Sequence, residues 1–198
     1  TVTVPSGPGA GNGISAFIPQ RTIIAQQSLG CMTSTLAGEH IFVAGFDPAN
    51  SENLRKFTVD SLTGMYYETE WENLPNVPVA LAVLGSGVFA YFGGSNPNIV
   101  RYSINNLAPT QMTIVGATIG NTPRAMYSDG VYLYVHNATG AFIKFSESGN
   151  QLINQGTTVF NNTNITSNSF VSIISDGTKV YFQYTYQIER YDLSGGTI

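Results

Sequence analysis

Cysteine is almost absent from this sequence. Cys31 is the single cysteine in 198 residues, so an intramolecular disulfide and a cysteine-rich zinc site are both excluded. A lone cysteine in an apolar run is typical of a small buried hydrophobic residue. We therefore expect Cys31 to pack in a core and to have no chemical role.

Charge is also scarce. Charged residues make up 10% of the chain, with 8 basic and 12 acidic side chains and a formal net charge of -4, against about 25% charged residues in typical soluble domains. So few cations argue against nucleic-acid binding, which depends on neutralising phosphates. A surface solvated by Ser, Thr, Asn and Gln is commoner outside the cytosol, so we expect an extracellular, cell-surface or virion location.

Long apolar runs and basic clusters are missing. No run approaches the roughly 20 residues that span a bilayer, and no polybasic cluster suggests a membrane surface. No membrane insertion is therefore expected. Because the first residue is Thr1 rather than methionine, we expect either that a signal or pro-segment has been removed or that the chain is a piece of a longer protein.

Motifs of catalysis and metal binding are lacking as well. His40 and His136 are the two histidines, and neither stands in a zinc-binding spacing. No nucleophile elbow is present. We therefore predict no catalytic, cofactor-binding or metal residues, no cofactor and no enzymatic activity, and we expect both histidines in surface or turn positions.

Acidic residues alternate with aromatic and polar ones in one segment. Glu68, Glu70 and Glu72 recur at every second position, which on a regular strand places the three carboxylates on one face. The pattern predicts a solvated outer strand. A Ca²⁺ site or a basic partner is the alternative.

What the sequence does contain is a repeat. Four apolar runs with strand character each follow a turn signal rich in Gly or Asp-Gly, which supplies the positive φ of a tight hairpin. The runs are 41–45, 88–92, 131–135 and 180–184.

A second strand follows each run after about ten residues, and it carries a basic residue and then an aromatic. These pairs are Lys56-Phe57, Arg101-Tyr102, Lys144-Phe145 and Arg190-Tyr191. Their aromatic residues lie 45, 43 and 46 positions apart. Because side chains alternate along a strand, we expect the aromatic in the packing layer and the basic residue in solvent.

Repeats of this length with four short strands each predict an all-β chain folded as a β-propeller of about four four-stranded blades. We expect outer strands over 65–72, 111–118 and 151–160, with the last blade completed by an N-terminal strand. The predicted propeller domain is 18–198, with blades near 28–74, 77–119, 122–160 and 166–198 plus 18–27. The sequence leaves three alternatives open for the four blades. They close a ring alone, they form a larger ring with another chain, or they are a fragment of a longer protein.

The first copy resembles a kelch repeat. Two kelch strands correspond to 41–46 and 54–60, and the kelch tryptophan segment corresponds to Trp71 to Pro78. The second copy keeps the glycine pair of kelch repeats as Gly93-Gly94. The resemblance covers roughly 18–198 and implies kelch-like blades.

Residues 1–17 fall outside the repeat and are predicted to form an extended N-terminal arm. The short alternating segment Thr1, Val2, Thr3 and Val4 precedes a Gly- and Pro-rich linker, and a tethered strand of this kind can add to a sheet edge of a partner. The alternative is a frayed end.

Three sequons make Asn137, Asn161 and Asn164 possible glycosylation sites in a secreted chain.

These features favour a non-enzymatic extracellular or virion structural and interaction module that self-associates through its N-terminal arm into homo-oligomers or filaments. A carbohydrate- or receptor-binding propeller, which would bind a glycan or a cell-surface receptor, is the alternative. A glycan-processing enzyme is a third reading, since fold alone does not determine function.

Overall fold

The computed structural model describes residues 28–35, 38–47, 51–60, 62, 66–120, 122–159, 170–175, 179–184 and 188–192. Over these ranges the regular elements are all β-strands, so the prediction of an all-β chain is confirmed. The N-terminal arm 1–17, its segment Thr1 to Val4 and the proposed closing strand 18–27 lie outside the described residues.

The strands form four sheets that follow one another along the chain. In each sheet consecutive strands pair antiparallel, because short turns join them. The first sheet has β1 (Ser28–Ser34), β2 (His40–Asp47), β3 (Ser51–Val59) and β4 (Tyr66–Asn73), and the second has β5 (Ala80–Leu84), β6 (Gly87–Phe92), β7 (Asn98–Ser103) and β8 (Pro109–Gln111).

The third sheet has β10 (Pro123–Ser128), β11 (Leu133–Asn137), β12 (Ala141–Ser148) and β13 (Gln151–Val159), with β9 (Thr113–Val115) at its edge. The fourth has β14 (Phe170–Ser175), β15 (Lys179–Tyr184) and β16 (Ile188–Asp192). The sheet limits fall near the predicted blade limits, and the predicted domain division stays a prediction.

The sheets stack face to face, and the alternation of β6 shows how. Val88 and Ala90 pack in one buried cluster with residues of the first sheet, whereas Phe89 and Tyr91 pack in another with the third sheet. A strand buried on both faces has no polar alternation, which explains the unbroken apolar run. The second sheet therefore lies between the first and the third.

The aromatic residues of the repeated pairs occupy equivalent positions. Tyr102 packs toward the first sheet, Phe145 toward the second and Tyr191 toward the third. Each aromatic therefore faces the preceding sheet. Phe57, the counterpart in the first sheet, is also buried, so the pattern marks the same strand in successive sheets, as predicted.

Two of the four basic partners, Lys56 and Arg101, do not point into solvent, which corrects the sequence-based expectation for them, whereas Arg190 is exposed as expected. The Lys56 ammonium is buried and lies 3.4 Å from the carbonyl oxygen of Asn105 in the second sheet. The Arg101 Nε lies 2.8 Å from a carboxylate oxygen of Glu147 in the third sheet. Because the residue before an inward aromatic points the other way, each of these cations faces the following sheet and contacts it.

Irregularities of the sheets repeat along with the strands. The pairing of β3 with β4 shifts between Lys56 and Phe57, and that of β12 with β13 shifts between Lys144 and Phe145. The bulge therefore lies opposite the basic-aromatic pair in both sheets. β-Bulges bend a strand and increase its twist, so these sheets share a curvature as well as a sequence pattern.

The predicted outer strand 111–118 is wrong in one respect. Pro109 to Gln111 pair with β7 of the second sheet, but β9 leaves that sheet and runs parallel to β13 of the third. The buried Met112 separates the two pairings. One short segment thus covers the outer edges of two neighbouring sheets, which protects them from pairing with other chains.

Candidate functional site

The first strands of the four sheets lie next to one another. β1 contacts β5, β5 contacts β10, and β10 contacts β14. Since the other strands of each sheet extend outward in sequence order, the first strands line a common axis. Any molecule that enters along this axis meets these strands first.

A cavity of about 770 Å³ lies where β1, β5 and β10 approach their C-terminal ends. Cavities of roughly 300–1,000 Å³ are typical of small-molecule sites. Its wall is described by Met32, Thr33, Ser34, Thr35, Ile41, Leu81, Ala82, Val83, Gly85, Met126, Tyr127, Ser128 and Gly130. The cavity is therefore built from three different sheets.

The described wall carries no Asp, Glu, Lys, Arg, His or Cys side chain. It combines aliphatic and thioether groups with the hydroxyls of Thr, Ser and one Tyr. Burying a charge without a partner is costly. A wall of this composition suits an uncharged molecule with apolar surface and one or a few hydrogen-bonding groups.

One side of the cavity is held by an ordered turn. The Asp129 carboxylate accepts hydrogen bonds from the backbone amides of Val131 and Tyr132 at 2.8 and 2.7 Å, and the Tyr134 hydroxyl donates to its other oxygen at 2.8 Å. Gly130 adopts a φ of 91°, which an L residue with a side chain rarely adopts. The Asp-Gly signal in the sequence therefore specifies the turn beside Tyr127 and Ser128.

Tyr127 also belongs to an aromatic row that runs between the third and fourth sheets. Its ring centroid lies 6.3 Å from that of Tyr134, which stacks on Phe142 at 5.5 Å. Phe142 in turn meets Phe182 edge to face at 5.5 Å. Aromatic pairs at such distances attract one another beyond simple burial, so the Tyr127 ring is held in place before any ligand arrives.

His136 is not a surface or turn residue, and that expectation is wrong. It is fully buried in β11, with its ring 5.5 Å from the Phe182 ring. Burial, together with the smaller effect of the positive charge of Arg124, lowers the pKa of His136 from 6.5 to about 4. The imidazole therefore stays neutral near pH 7, inside the interface and away from the cavity wall.

His40 lies at the start of β2 and is half-buried. Its Nδ1 lies 3.0 Å from the Thr58 hydroxyl, and its backbone amide donates to the Thr35 hydroxyl at 3.1 Å. The first contact joins β2 to β3 and the second closes the β1–β2 turn. Both are structural contacts rather than parts of a catalytic arrangement.

Cys31 packs beside the cluster between the first and second sheets. Its thiol donates to the Pro78 carbonyl at 3.4 Å, and burial raises the pKa of the thiol to about 12. Because the thiolate is the reactive form, this cysteine is inert at neutral pH, in keeping with its expected packing role.

The three glutamates of β4 do not share a face. The bulge in β4 places Glu68 opposite Phe57 and Glu70 opposite Lys56, so the regular alternation is broken. Glu68 pairs with Arg55 at 3.1 Å and Glu70 with Lys56 at 3.4 Å. Two of the carboxylates are thus neutralised on opposite faces, and the described residues contain no group of three acidic, His or Cys side chains placed to hold a metal ion.

The three possible glycosylation sites differ in what the structure shows. Asn137 is buried, and its side-chain nitrogen donates to the Ile119 carbonyl at 3.0 Å. A glycan on that nitrogen is incompatible with this burial, which argues against modification of the folded chain there. Asn161 and Asn164 lie outside the described residues.

Sequence reasoning missed the cavity because its wall comes from strand ends nearly fifty residues apart. One signal was present. The residues just before two of the turn signals are small and hydroxylated, namely Ser34, Thr35 and Ser128, where a fully buried strand would continue with large apolar residues.

The described part of the chain contains no helix that is long and apolar enough to span a membrane.

Comparison with known proteins gives structural matches alone. No family model matches the chain, and no curated protein matches it. A structure of a proposed 6-phosphogluconolactonase from Bacteroides uniformis ATCC 8492 superimposes with a TM-score of 0.51 at 12% identity, covering 83% of this chain and 67% of that one. The fold is a β-propeller.

Two further structures are similar at lower scores. A proposed 6-phosphogluconolactonase from Bacteroides fragilis NCTC 9343 gives a TM-score of 0.47 at 13% identity over 83% of this chain and 67% of that one. BamB from Moraxella catarrhalis gives 0.49 at 13% identity, and the match covers 80% of this chain but 41% of BamB. Likeness at such identities describes the fold and assigns no activity.

One match corrects the expected function. The interpretation as a non-enzymatic extracellular or virion structural module is contradicted, because the similar propeller from Bacteroides uniformis is named as a proposed 6-phosphogluconolactonase, which is an enzyme.

Proposed function

We propose that this propeller binds a small uncharged molecule in the cavity between β1, β5 and β10. The observation that carries the proposal is the described wall, which joins three sheets and holds no ionic side chain. Propellers and barrels commonly bind ligands where several elements converge. Hydroxyl groups at the wall supply the hydrogen bonds that orient such a ligand.

The same wall argues against hydrolysis of a phosphorylated lactone at this place. A phosphate is bound by Arg, Lys or clustered backbone amides, and the described wall offers no cation. General acid or base catalysis needs a group that titrates near the working pH, usually His, Asp or Glu, and a serine nucleophile needs an adjacent base. We therefore propose ligand binding as the role of the described wall.

The kelch-like character of the blades is part of the proposal as well. Gly93 and Gly94 follow β6 directly, and Trp71 lies in the fourth strand of the first sheet. This order supports the kelch resemblance of the sequence, and a structure-based alignment to kelch blades is its test.

Binding is tested by ligand-observed NMR with uncharged fragments and with phosphate esters of the same fragments. Wild-type protein is compared with Thr33→Phe, which fills the cavity from β1, and with Thr113→Phe, which places the same ring on exposed β9. We expect uncharged fragments to bind the wild type and Thr113→Phe, and to lose binding in Thr33→Phe.

Two results would contradict the proposal. The first is preferential binding of the phosphate esters, which requires a cationic site that the described wall lacks. The second is turnover of 6-phosphogluconolactone above the buffer rate, with a rate that falls in Thr33→Phe but not in Thr113→Phe, because it would place catalysis in this cavity.

A further inference from the structure

The second, third and fourth sheets carry the same aliphatic–aromatic pair on the face toward the preceding sheet. An aliphatic residue of the second strand lies directly opposite the repeated aromatic residue of the third strand. The pairs are Val88 with Tyr102, Leu133 with Phe145 and Val180 with Tyr191. The three aliphatic residues are fully buried in the clusters that join each sheet to the one before it. This pair therefore forms one half of each of these interfaces.

The first sheet carries the same half at one end of the stack. Ile41 lies directly opposite Phe57, on the face that points away from the second sheet. Phe57 is buried, but Ile41 is half-buried and Met32, on the same face, is 70% exposed. The cluster that contains residues of the first sheet lies on its other face. One half of an interface between sheets is thus left incompletely buried at this end.

The complementary half is an aromatic residue paired with the repeated cation. In each sheet an aromatic residue of the second strand lies opposite the basic residue of the third strand. These pairs are Phe42 with Lys56, Phe89 with Arg101, Tyr134 with Lys144 and Tyr181 with Arg190. In the first three sheets the aromatic residue is buried in the cluster shared with the following sheet. The second half of each interface is therefore this aromatic–cation pair.

The fourth sheet presents this second half at the other end of the stack. Tyr181 is half-buried and Arg190 is exposed. Ile188 lies on the same face, two residues before Arg190, and is 71% exposed. Tyrosine, arginine and large apolar side chains are the groups that protein interfaces bury at their centre. The two ends of the stack thus carry the two matching halves of one more interface.

These two halves are not joined to each other by a buried cluster within the described part of the chain. The chain also superimposes on a part of a longer propeller chain, as an arc of a larger ring would. A second copy supplies both missing halves at once, because each copy has one of each. We infer that two copies of this chain associate by packing the fourth sheet of each on the first sheet of the other. The inference is independent of the ligand proposed for the cavity.

The repeat also predicts one ionic contact across this interface. The acceptor of Lys56 in the second sheet, Asn105, follows the repeated aromatic residue by three positions, and Asp60 follows Phe57 by the same three positions. By this equivalence Arg190 of one copy lies next to Asp60 of the other. Opposite charges that meet across an interface favour the correct pairing and disfavour others.

The test is sedimentation velocity of the full chain over a series of concentrations, with Arg190→Glu and Asp60→Arg. We expect the wild type to form a dimer that dissociates on dilution. Each variant alone places like charges at both contacts of the dimer, so its dissociation constant should rise at least about tenfold. An equimolar mixture of the two variants should recover the dimer, because one contact then has exchanged charges and the other is native.

Ile188→Lys tests the apolar part of the same interface at an exposed position, where the fold tolerates a lysine. It should weaken the dimer roughly tenfold. Val131→Lys is the matched control, because Val131 is 66% exposed and lies in the turn between β10 and β11, away from both end faces. It should leave the dissociation constant unchanged. Thermal unfolding of each variant at a fixed low concentration checks that the single chain still folds.

Three results would overturn the inference. A monomer at every concentration, with a lower unfolding temperature in Arg190→Glu, would mean that the chain's own fourth sheet covers its first sheet. A dimer that neither Arg190→Glu nor Ile188→Lys weakens would place the contact elsewhere. Folded Arg190→Glu and Asp60→Arg chains that stay monomeric when mixed would exclude the pairing of these two side chains between copies.

Discussion

Two interfaces of this molecule, both made by the third sheet, differ in composition. Toward the second sheet the described buried residues are mainly aliphatic, with Phe89, Tyr91 and Phe145 among them. Toward the fourth sheet they are Tyr134, Phe142, Val180 and Phe182, beside the buried His136. One interface is thus a large mixed core, and the other, over the described residues, is a smaller aromatic contact that includes a titratable ring.

Polar contacts sharpen the contrast. At the interface between the second and third sheets, the Tyr91 hydroxyl donates to the carbonyl oxygens of Ile119 and Gly120, and Asn137 also donates to Ile119. The connection between the two sheets is therefore fixed by buried hydrogen bonds on both sides. The other interface has an imidazole that is stable there only when neutral. We infer that protonation of this imidazole weakens the second interface in acid.

The largest effect is expected from Phe89→Ala. Phe89 is fully buried between the second and third sheets, and removing such a ring costs about 3–5 kcal/mol through lost burial and a cavity. Chemical denaturation measures the loss. Trp71→Ala, at a half-exposed position on β4, is the control and should cost well under half as much. A smaller loss for Phe89→Ala than for Trp71→Ala would mean that this interface is not the core.

Acid should weaken the interface between the third and fourth sheets through His136. Between pH 6.5 and 4 the His136 imidazole is protonated in the unfolded chain but stays neutral in the folded chain. The free energy of unfolding therefore falls as the pH drops through this window. The contribution of this one group approaches roughly 3 kcal/mol near pH 4. The measurement is the unfolding free energy against pH for wild type and His136→Gln, and the variant should show the shallower dependence.

His40→Gln is the matched control for that series, because it removes the other imidazole from outside this interface. The difference between wild type and His136→Gln should appear in this pH window and vanish above it apart from a constant offset. Parallel curves for wild type and His136→Gln would refute the role of His136.

Gly120→Ala should destabilise the connection between the second and third sheets by roughly 1–3 kcal/mol. Gly120 has a φ of 74°, and a Cβ there would lie 2.8 Å from the Asn137 side-chain nitrogen, so strain and a clash add. Gly149→Ala is the control, since its φ is 57° but nothing lies within 4 Å of the added Cβ. Thermal unfolding should show the larger loss for Gly120→Ala, and equal losses would mean that the contact with Asn137 contributes nothing.

The smallest effect concerns the ion pair between Arg101 and Glu147 across the same interface. The two side chains are 21% and 23% exposed and lie 2.8 Å apart, so solvent screens them only in part. A double-mutant cycle with Arg101→Met and Glu147→Gln should give a coupling of about 0.5–1 kcal/mol that shrinks as salt is raised. A coupling of zero at low salt would show that the pair only fills space.

The strand pattern could be predicted from the sequence, because period-2 alternation and turn residues act locally. The four apolar runs correspond to strands β2, β6, β11 and β15, and the basic-aromatic pairs mark the third strand of each sheet. The direction of the cations could not be predicted. Alternation shows that Lys56 and Arg101 point to the face of the sheet opposite their aromatic neighbours. It does not show that another sheet packs on that face.

Other features arise from single residues or from distant ones. The bulge in β4 separates Glu68 from Glu70 through one extra residue, which a periodic pattern does not reveal. The burial of His136 depends on Phe182, which is 46 positions away. The cavity depends on the ends of three strands that meet only after the sheets have packed. The local sequence pattern does not predict these contacts between distant strands.

A crystal structure of the full chain soaked with an uncharged fragment that binds in solution tests the binding site most directly. We predict density for the fragment within the cavity between β1, β5 and β10. Density for the fragment solely on the outer surface of the sheets, with the cavity holding water, would contradict a ligand site at this place.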